Sequence, residues 1–112
     1  MAMHTYSVVE AANIQLGQAG SAFVDTTGKF TPPSGQKIIM ITMLTDVEFS
    51  ELTPSNINEN FGTTVADALQ PGTGSDQLTS SDTFPSGVTI FGRWDSCTLQ
   101  SNGDKIIIYF GG

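Results

Sequence analysis

Short apolar runs separated by turn-forming residues constrain the fold of this chain more than any other feature. Residues 38–44 (Ile-Ile-Met-Ile-Thr-Met-Leu) and 106–110 (Ile-Ile-Ile-Tyr-Phe) are apolar on both faces of an extended chain. The spacing of three and four residues that an amphipathic helix needs is nearly absent, whereas a short apolar run between turns is typical of a buried strand. The sequence therefore predicts an all-β fold, a compact antiparallel β-sandwich or β-barrel with long loops.

Turn chemistry and alternation extend this prediction along the chain. Residues 36–52 are expected to form one long strand or a bent strand pair, because their apolar run changes to alternation near Asp46. Asn102-Gly103 favours a tight hairpin turn. We therefore expect residues 93–110 to form a C-terminal hairpin. Further strand candidates are 6–10, 13–16, 22–24, 88–91 and 93–99.

The tripeptide Pro-Ser-Gly occurs at 33–35 and again at 85–87, each time shortly after a Phe and before an apolar strand. Pro and Gly together favour a tight turn. Two turns of the same chemistry could mark corresponding corners of two sheets, and a chance repeat explains them nearly as well.

The chain has 112 residues, which is the length of one domain. We expect a single β domain over 1–112, with 1–12 as a candidate N-terminal arm. Residues 53–83 are polar and rich in turn formers, and predict a long loop of the kind that is often functional. The candidates for a helical turn are Ala11-Ala12 and 64–69.

The charge balance excludes several classes of partner. The chain carries 11 acidic and 4 basic residues, a formal net charge of −7. Four basic residues are too few to line a phosphate backbone or an anionic membrane surface. No apolar run approaches the ~18 residues of a membrane span. The N-terminal residues lack the pattern of a signal peptide. We expect neither nucleic acid nor a membrane as a partner.

Few residues could carry catalysis. Asp46 and Glu48 are two apart on one strand face, about 7 Å from each other, which suits a hydrolase acid pair or two calcium ligands; a solvated strand face explains them more simply. Cys97 is the single cysteine and His4 the single histidine. A nucleophile needs an oriented base nearby, so we expect a buried Cys97. The chain is predicted not to be an enzyme, with no catalytic residue, metal site or cofactor.

Residues 92–95 (Gly-Arg-Trp-Asp) contain the one Arg and the one Trp of the chain. An outward Trp94 could stack on a sugar ring, or Arg93 and Trp94 could form a subunit contact, since these residue types dominate interface energetics. The alternative is a core position for Trp94 with Arg93 and Asp95 as a surface pair.

Two stretches together carry a resemblance to a known family. In the first, residues 30–35 (Phe-Thr-Pro-Pro-Ser-Gly) lead into residues 38–44 and then 46–52. The second begins with residues 84–94 (Phe-Pro-Ser-Gly-Val-Thr-Ile-Phe-Gly-Arg-Trp) and ends in residues 105–111 (Lys-Ile-Ile-Ile-Tyr-Phe-Gly). This arrangement resembles small all-β virion proteins of tailed bacteriophages, especially marine and cyanobacterial ones. The resemblance covers about half the chain. It implies a structural role, that of a capsid decoration or cement protein, and brings no catalytic residues.

As a decoration protein, the chain would bind the major capsid protein on the outer surface of the head and stabilise it. Such proteins often form trimers at capsid three-fold positions, so the resemblance implies a homotrimer located in the virion and assembled in the host cytoplasm. The candidate interface residues are Arg93, Trp94, Phe30 and Phe84. The alternatives are a tail or fibre module that binds host glycans through Trp94, and a stand-alone β domain that includes a carboxylate hydrolase.

Overall fold

Five antiparallel strands form one sheet in the computed structural model of the protein, which describes residues 20–57, 59–63 and 74–112. In chain order the strands are β1 (Ser21–Val24), β2 (Lys37–Met43), β3 (Phe49–Pro54), β4 (Thr89–Leu99) and β5 (Ile106–Gly111). They lie side by side in the order β1-β5-β2-β4-β3. No helix occurs in these residues. The all-β prediction is confirmed, and the described strands belong to a single sheet.

The strands form where the sequence predicts them. Residues 36–52 are a bent pair, because the chain leaves β2 after Met43 and begins β3 at Phe49. The candidates 88–91 and 93–99 join into the single strand β4, whose pairing with β2 is irregular opposite Ile38 to Met40. The weaker candidate 22–24 is β1. The candidates 6–10 and 13–16, the arm 1–12 and both helical turns lie outside the described residues.

The predicted C-terminal hairpin is wrong in its pairing. Both strands exist, but β2 lies between β4 and β5. The connection 100–105 crosses the end of β2, where the Lys105 N–H donates to Thr45 Oγ1 at 3.0 Å. Gly103 adopts a φ of 93°, but Asn102 lacks the positive φ that the two-residue Asn-Gly hairpin turn also requires. A six-residue connection nevertheless spans the roughly 10 Å across one intervening strand, so this turn chemistry does not enforce direct pairing.

The core lies on one face of the sheet and is covered by loops. Its buried apolar side chains are Ile38, Ile41, Met43, Val47, Phe49, Leu52, Trp94, Cys97, Leu99, Ile106 and Ile108. From the loops, Phe61 packs edge-on against Trp94 at 5.4 Å between ring centroids, and Phe84 packs against Phe49 at 5.7 Å. Leu78 also packs here. The described parts of the 53–83 region thus cover the sheet in place of a second sheet.

The two Pro-Ser-Gly segments form the same turn. The Gln36 N–H donates to Pro33 O at 3.0 Å, and the Val88 N–H donates to Pro85 O at 3.2 Å. The glycines have φ values of 83° and 86°, a region that glycine enters at little cost. The turns lead into β2 and β4, which are antiparallel neighbours. They therefore start strands at opposite ends of one sheet and do not mark corners of two.

Candidate docking surface

The outer face of the sheet, which is the face opposite the core, is the most unusual surface of the molecule. Two rows of side chains cross it from β1 through β5 and β2 to β4. The rows are Phe23, Ile107, Thr42 and Thr89, and beside them Ser21, Tyr109, Met40 and Phe91. None of these eight residues is charged. A solvated face of an antiparallel sheet is ordinarily polar, so this face differs from a surface shaped for water alone.

Large apolar side chains on the outer face are exposed. Phe23 is 56% exposed and Phe91 is 62% exposed. Leu44, the first residue after β2, is 43% exposed. The hydroxyls of Thr42 and Thr89 hydrogen-bond to each other at 3.0 Å, so the polar atoms in this row are paired across the strands. Exposed large apolar side chains on one sheet face make this face a candidate interaction site.

Charged side chains flank one end of the outer face. Lys37 Nζ lies 2.6 Å from Asp95 Oδ1, across β2 and β4. Arg93 is exposed, and its Nη1 donates to the Gly112 carbonyl at 3.1 Å. These groups form a polar rim beside an apolar centre, which is the usual anatomy of a protein–protein interface.

A polar cluster around Glu51 occupies the β3 side of the same outer face, because Glu51 and Thr98 alternate along their strands with the core residues Leu52 and Leu99. The Glu51 carboxylate accepts hydrogen bonds from the hydroxyls of Thr53, Ser96 and Thr98, and Lys29 Nζ lies 3.8 Å from its Oε2. Burial by itself would raise the pKa of Glu51, but the three hydroxyl donors and the lysine charge together lower it. All hydrogen-bonding partners of this carboxylate are supplied internally, which indicates a structural role for the cluster.

Glu51→Gln should destabilise the protein by about 1–2 kcal/mol, since the amide loses the charge that strengthens its hydrogen bonds. A lowered pKa in the folded state stabilises the fold above the unfolded value, and this stabilisation is lost as pH falls through the folded pKa. The difference between Glu51→Gln and wild type in urea unfolding should therefore be full at pH 7 and shrink below pH 4.5. The exposed Glu59→Gln is the control, and an equal loss in it would contradict the prediction.

The predicted interface residues separate in the structure. Arg93 is exposed beside the outer face, as an interface position requires. Phe30 and Phe84 are half-buried and pack on the core. Trp94 is fully buried, and its Nε1 donates to the Phe61 carbonyl at 2.9 Å. Trp94 thus has the core position that was the alternative interpretation of the sequence, and its ring is not accessible for stacking on a sugar.

Asp46 and Glu48 hold a loop. Asp46 Oδ1 accepts from the Ser86 N–H at 2.9 Å, and Glu48 Oε2 accepts from the Thr83 hydroxyl at 2.8 Å. Between them, Val47 pairs with Phe84 in an isolated β-bridge. Each carboxylate therefore has its own backbone or side-chain donor in residues 83–86, an arrangement that anchors this segment to the chain between β2 and β3.

Cys97 is buried in the core, as expected, with 1% of its surface exposed. Burial, together with the nearby Glu51 charge, raises the pKa of its thiol to about 12 from the ordinary 9.0. The thiolate, which is the nucleophile, is therefore absent at neutral pH. This environment is that of a small buried side chain and not that of a reactive thiol.

Cys97 should react with a thiol reagent at neutral pH only after unfolding, at least about 1000-fold slower in the native state than in denaturant. Because the folded thiol keeps its proton up to about pH 12 and the unfolded thiol ionises near pH 9, folding stability should decrease as pH rises through this interval. Between pH 7 and pH 10, urea titrations should show a larger loss of the free energy of unfolding for wild type than for Cys97→Ala, by about 1 kcal/mol. An equal loss in both proteins would contradict the buried thiol.

No group of three or more His, Cys, Asp or Glu residues that could hold a metal ion occurs in residues 20–57, 59–63 and 74–112. His4 lies outside these ranges. An open pocket of about 250 Å³ lies at the end of β1, lined by residues from Phe23 to Phe30 that include Asp25 and Lys29. In the part of the chain that the structure describes, no helix is long and apolar enough to cross a membrane.

Comparison with known proteins finds no matching family model, no matching curated protein and no matching solved structure. The residues of the outer face, such as Met40, Phe91 and Phe23, were not among those singled out from the sequence. The signal that could have found them is the apolar character of 38–44 and 106–110 on both strand faces, because one sheet face already fills the core.

Proposed function

We propose that the protein is a virion structural protein of a tailed bacteriophage, a capsid decoration protein that docks on the major capsid protein through the outer face of its sheet. The observation that carries this proposal is the uncharged part of the outer face from β1 to β4, with its exposed Phe23 and Phe91, on a sheet whose other face is already filled by the core. A protein that binds a shell needs such a surface, whereas an enzyme needs a pocket with converging reactive groups.

The placement of charge supports the same proposal. The chain has a formal net charge of −7, yet the two rows of the outer face contain no acidic residue. Interfaces that bury a patch of protein surface are depleted of charge at their centre and keep charges at the rim. Lys37, Arg93 and Asp95 supply that rim at one end. The net negative charge would also keep a surface-bound protein away from nucleic acid.

The proposed partners are the major capsid protein and further copies of this chain, in the virion. A homotrimer at three-fold positions follows from the family resemblance and stays a prediction. Closed symmetric assembly is the usual form of homo-oligomers, and copies bound to a shell are held at high local concentration, so weak contacts between them contribute.

A glycan-binding module of the tail or fibre is the second candidate, because the exposed rings of Phe23 and Phe91 could stack on sugars. Sugar sites add polar groups that bind the hydroxyls and fix the orientation of the ring. On the outer face the hydroxyls of Thr42 and Thr89 are already paired with each other. Trp94, which the sequence offered for stacking on a sugar, is buried and cannot contact a glycan. Capsid decoration is therefore the better supported function.

The copy number of the protein in purified particles tests the proposal. A decoration protein occupies positions that capsid symmetry repeats, so quantitative mass spectrometry should find hundreds of copies per particle, in a fixed ratio to the major capsid protein. The tail tube protein serves as an internal reference in the same digest. A ratio that gives a few tens of copies or fewer would contradict capsid decoration and favour the tail or fibre candidate.

A further inference from the structure

The two edges of the sheet are built differently. At the β3 edge, the Leu52 N–H donates to Thr63 Oγ1 and the Thr63 N–H donates to Leu52 O, both at 2.8 Å. Pro54 has no N–H to offer at this edge. A Cβ on Gly62 would clash with Leu52 O, so the segment that contains Gly62 and Thr63 packs tightly against β3. These features prevent another strand from pairing here, which is how proteins protect an exposed edge.

Within residues 20–57, 59–63 and 74–112, nothing protects the β1 edge in this way. Among the described residues, β1 has β5 as its only neighbour, and its sequence Ser-Ala-Phe-Val contains neither proline nor charge. The Phe110 N–H donates to Gly20 O at 3.0 Å, so Gly20 and every second residue after it point their main-chain groups toward β5. Ala22 and Val24 therefore bond to β5, while the N–H and C=O groups of Ser21 and Phe23 point to the free edge.

We propose that β1 pairs with β1 of a second copy of this chain, antiparallel across a two-fold axis. The free groups of Ser21 and Phe23 set the register: Ser21 lies opposite the partner's Phe23, and the same pair repeats on the other side of the axis. Four main-chain hydrogen bonds form, two in each pair. Ala22 then faces its own copy at the axis, as a non-hydrogen-bonded pair. The two sheets become one continuous sheet of ten strands.

The side chains favour a second copy as the occupant of this edge. Opposite residues on one face of an antiparallel pair lie next to each other, so the large ring of Phe23 packs over the small Ser21 of the partner. Ala22 is the smallest chiral side chain and permits close approach at the axis. Because β1 has no charge, the net charge of −7 on each copy is not concentrated at the contact. The outer faces of the two copies also join, with both Phe23 rings at the centre.

This contact does not rest on the docking proposal, because its main-chain hydrogen bonds form at the strand edge, although Ser21 and Phe23 also belong to the outer face. It is an isologous two-fold contact, so it adds to a three-fold contact between copies and does not replace one. A four-residue strand buries far less than the roughly 800 Å² per partner of a stable interface. The pairing is therefore weak in dilute solution and forms where copies are crowded.

Cysteine cross-linking tests the register. Ala22→Cys places two thiols at the axis in a non-hydrogen-bonded pair whose Cα atoms lie about 4.5 Å apart, within disulfide range. Ser21→Cys on the same strand is the matched control, because its two Cα atoms would lie about 8 Å apart, beyond that range. At about 0.5 mM protein in a glutathione redox buffer, Ala22→Cys should form at least tenfold more disulfide dimer. Since Ser21 is the more exposed residue, random collision would favour Ser21→Cys, and this result would overturn the proposal.

Amide hydrogen exchange of the unmodified chain gives a second test, which does not depend on a variant that folds. The Ser21 and Phe23 amides should gain protection as protein concentration rises, while the Ala22 and Val24 amides, bonded to β5, stay protected throughout. Protection of Ser21 and Phe23 that is independent of concentration would show that residues 1–19 of the same chain occupy the edge, and would overturn the proposal. Ser21 and Phe23 amides that stay unprotected at every protein concentration would also overturn the proposal. Neither test uses capsids, so their failure leaves the decoration proposal untouched.

Discussion

Ile108→Asp should abolish folding. Ile108 lies at the centre of β5, is fully buried and faces Ile41 of β2 on the core face. A carboxylate here has no described cation beside it to offset the cost of desolvation, which amounts to several kcal/mol and is comparable to the whole stability of a domain of this size. Circular dichroism and the near-ultraviolet signal of Trp94 should show an unfolded chain at room temperature.

The neighbouring residue is the matched control. Ile107 has the same side chain on the same strand, but it lies on the outer face between Phe23 and Thr42 and is only half-buried. Ile107→Asp leaves its carboxylate within reach of water, so we expect a folded protein that loses about 1–2 kcal/mol. If both variants unfold, the outer face is buried in the free protein, and the assignment of a docking surface to it is wrong. If both variants fold, the core is not where the structure places it.

The strands were predictable from the sequence, because the signals that define them are local. Residues 37–43 and 106–111 are strands since their apolar runs are short and end at turn formers. The pairing of strands was not predictable, because it depends on contacts between residues distant in the chain. Asn102-Gly103 indicated a direct hairpin, and the preference of β2 for both β4 and β5 outweighed it. Local turn chemistry limits the topologies and does not select one.

The candidate docking surface was only partly predictable. An apolar pattern on both faces of a strand predicts that both faces are covered; in β2 and β5 one face fills the core, and cover for the other face stays a prediction. The pattern cannot tell which face the loops of the same chain will cover. Trp94 illustrates the difficulty. A large apolar ring stabilises both cores and interfaces, so the residue type alone does not predict which of the two Trp94 joins. Gly92 favours the core position of Trp94. A Cβ on Gly92 would lie 2.5 Å from the Trp94 ring, so the indole packs directly on the backbone of its own strand.

Phe91→Asp should leave the protein folded and reduce its binding to capsids at least about 100-fold, which corresponds to about 2.7 kcal/mol of binding free energy. Phe91 is 62% exposed in the free chain, so the substitution removes little core packing. In the docked state the same position would lie at an apolar interface, where an unpaired carboxylate must be desolvated. The measurement is the amount of protein that co-sediments with capsids stripped of it, as a function of its concentration.

Gln77→Asp is the matched control, since it adds the same charge at an exposed position in the loops that cover the core face. Its binding should equal that of wild type. The reverse result, normal binding by Phe91→Asp and loss in Gln77→Asp, would move the docking surface to the loops. That outcome would show that the outer face does not contact the capsid, and contacts between copies of the chain would then be its remaining role. Because both variants carry the same net charge, long-range repulsion from the shell cannot account for a difference between them.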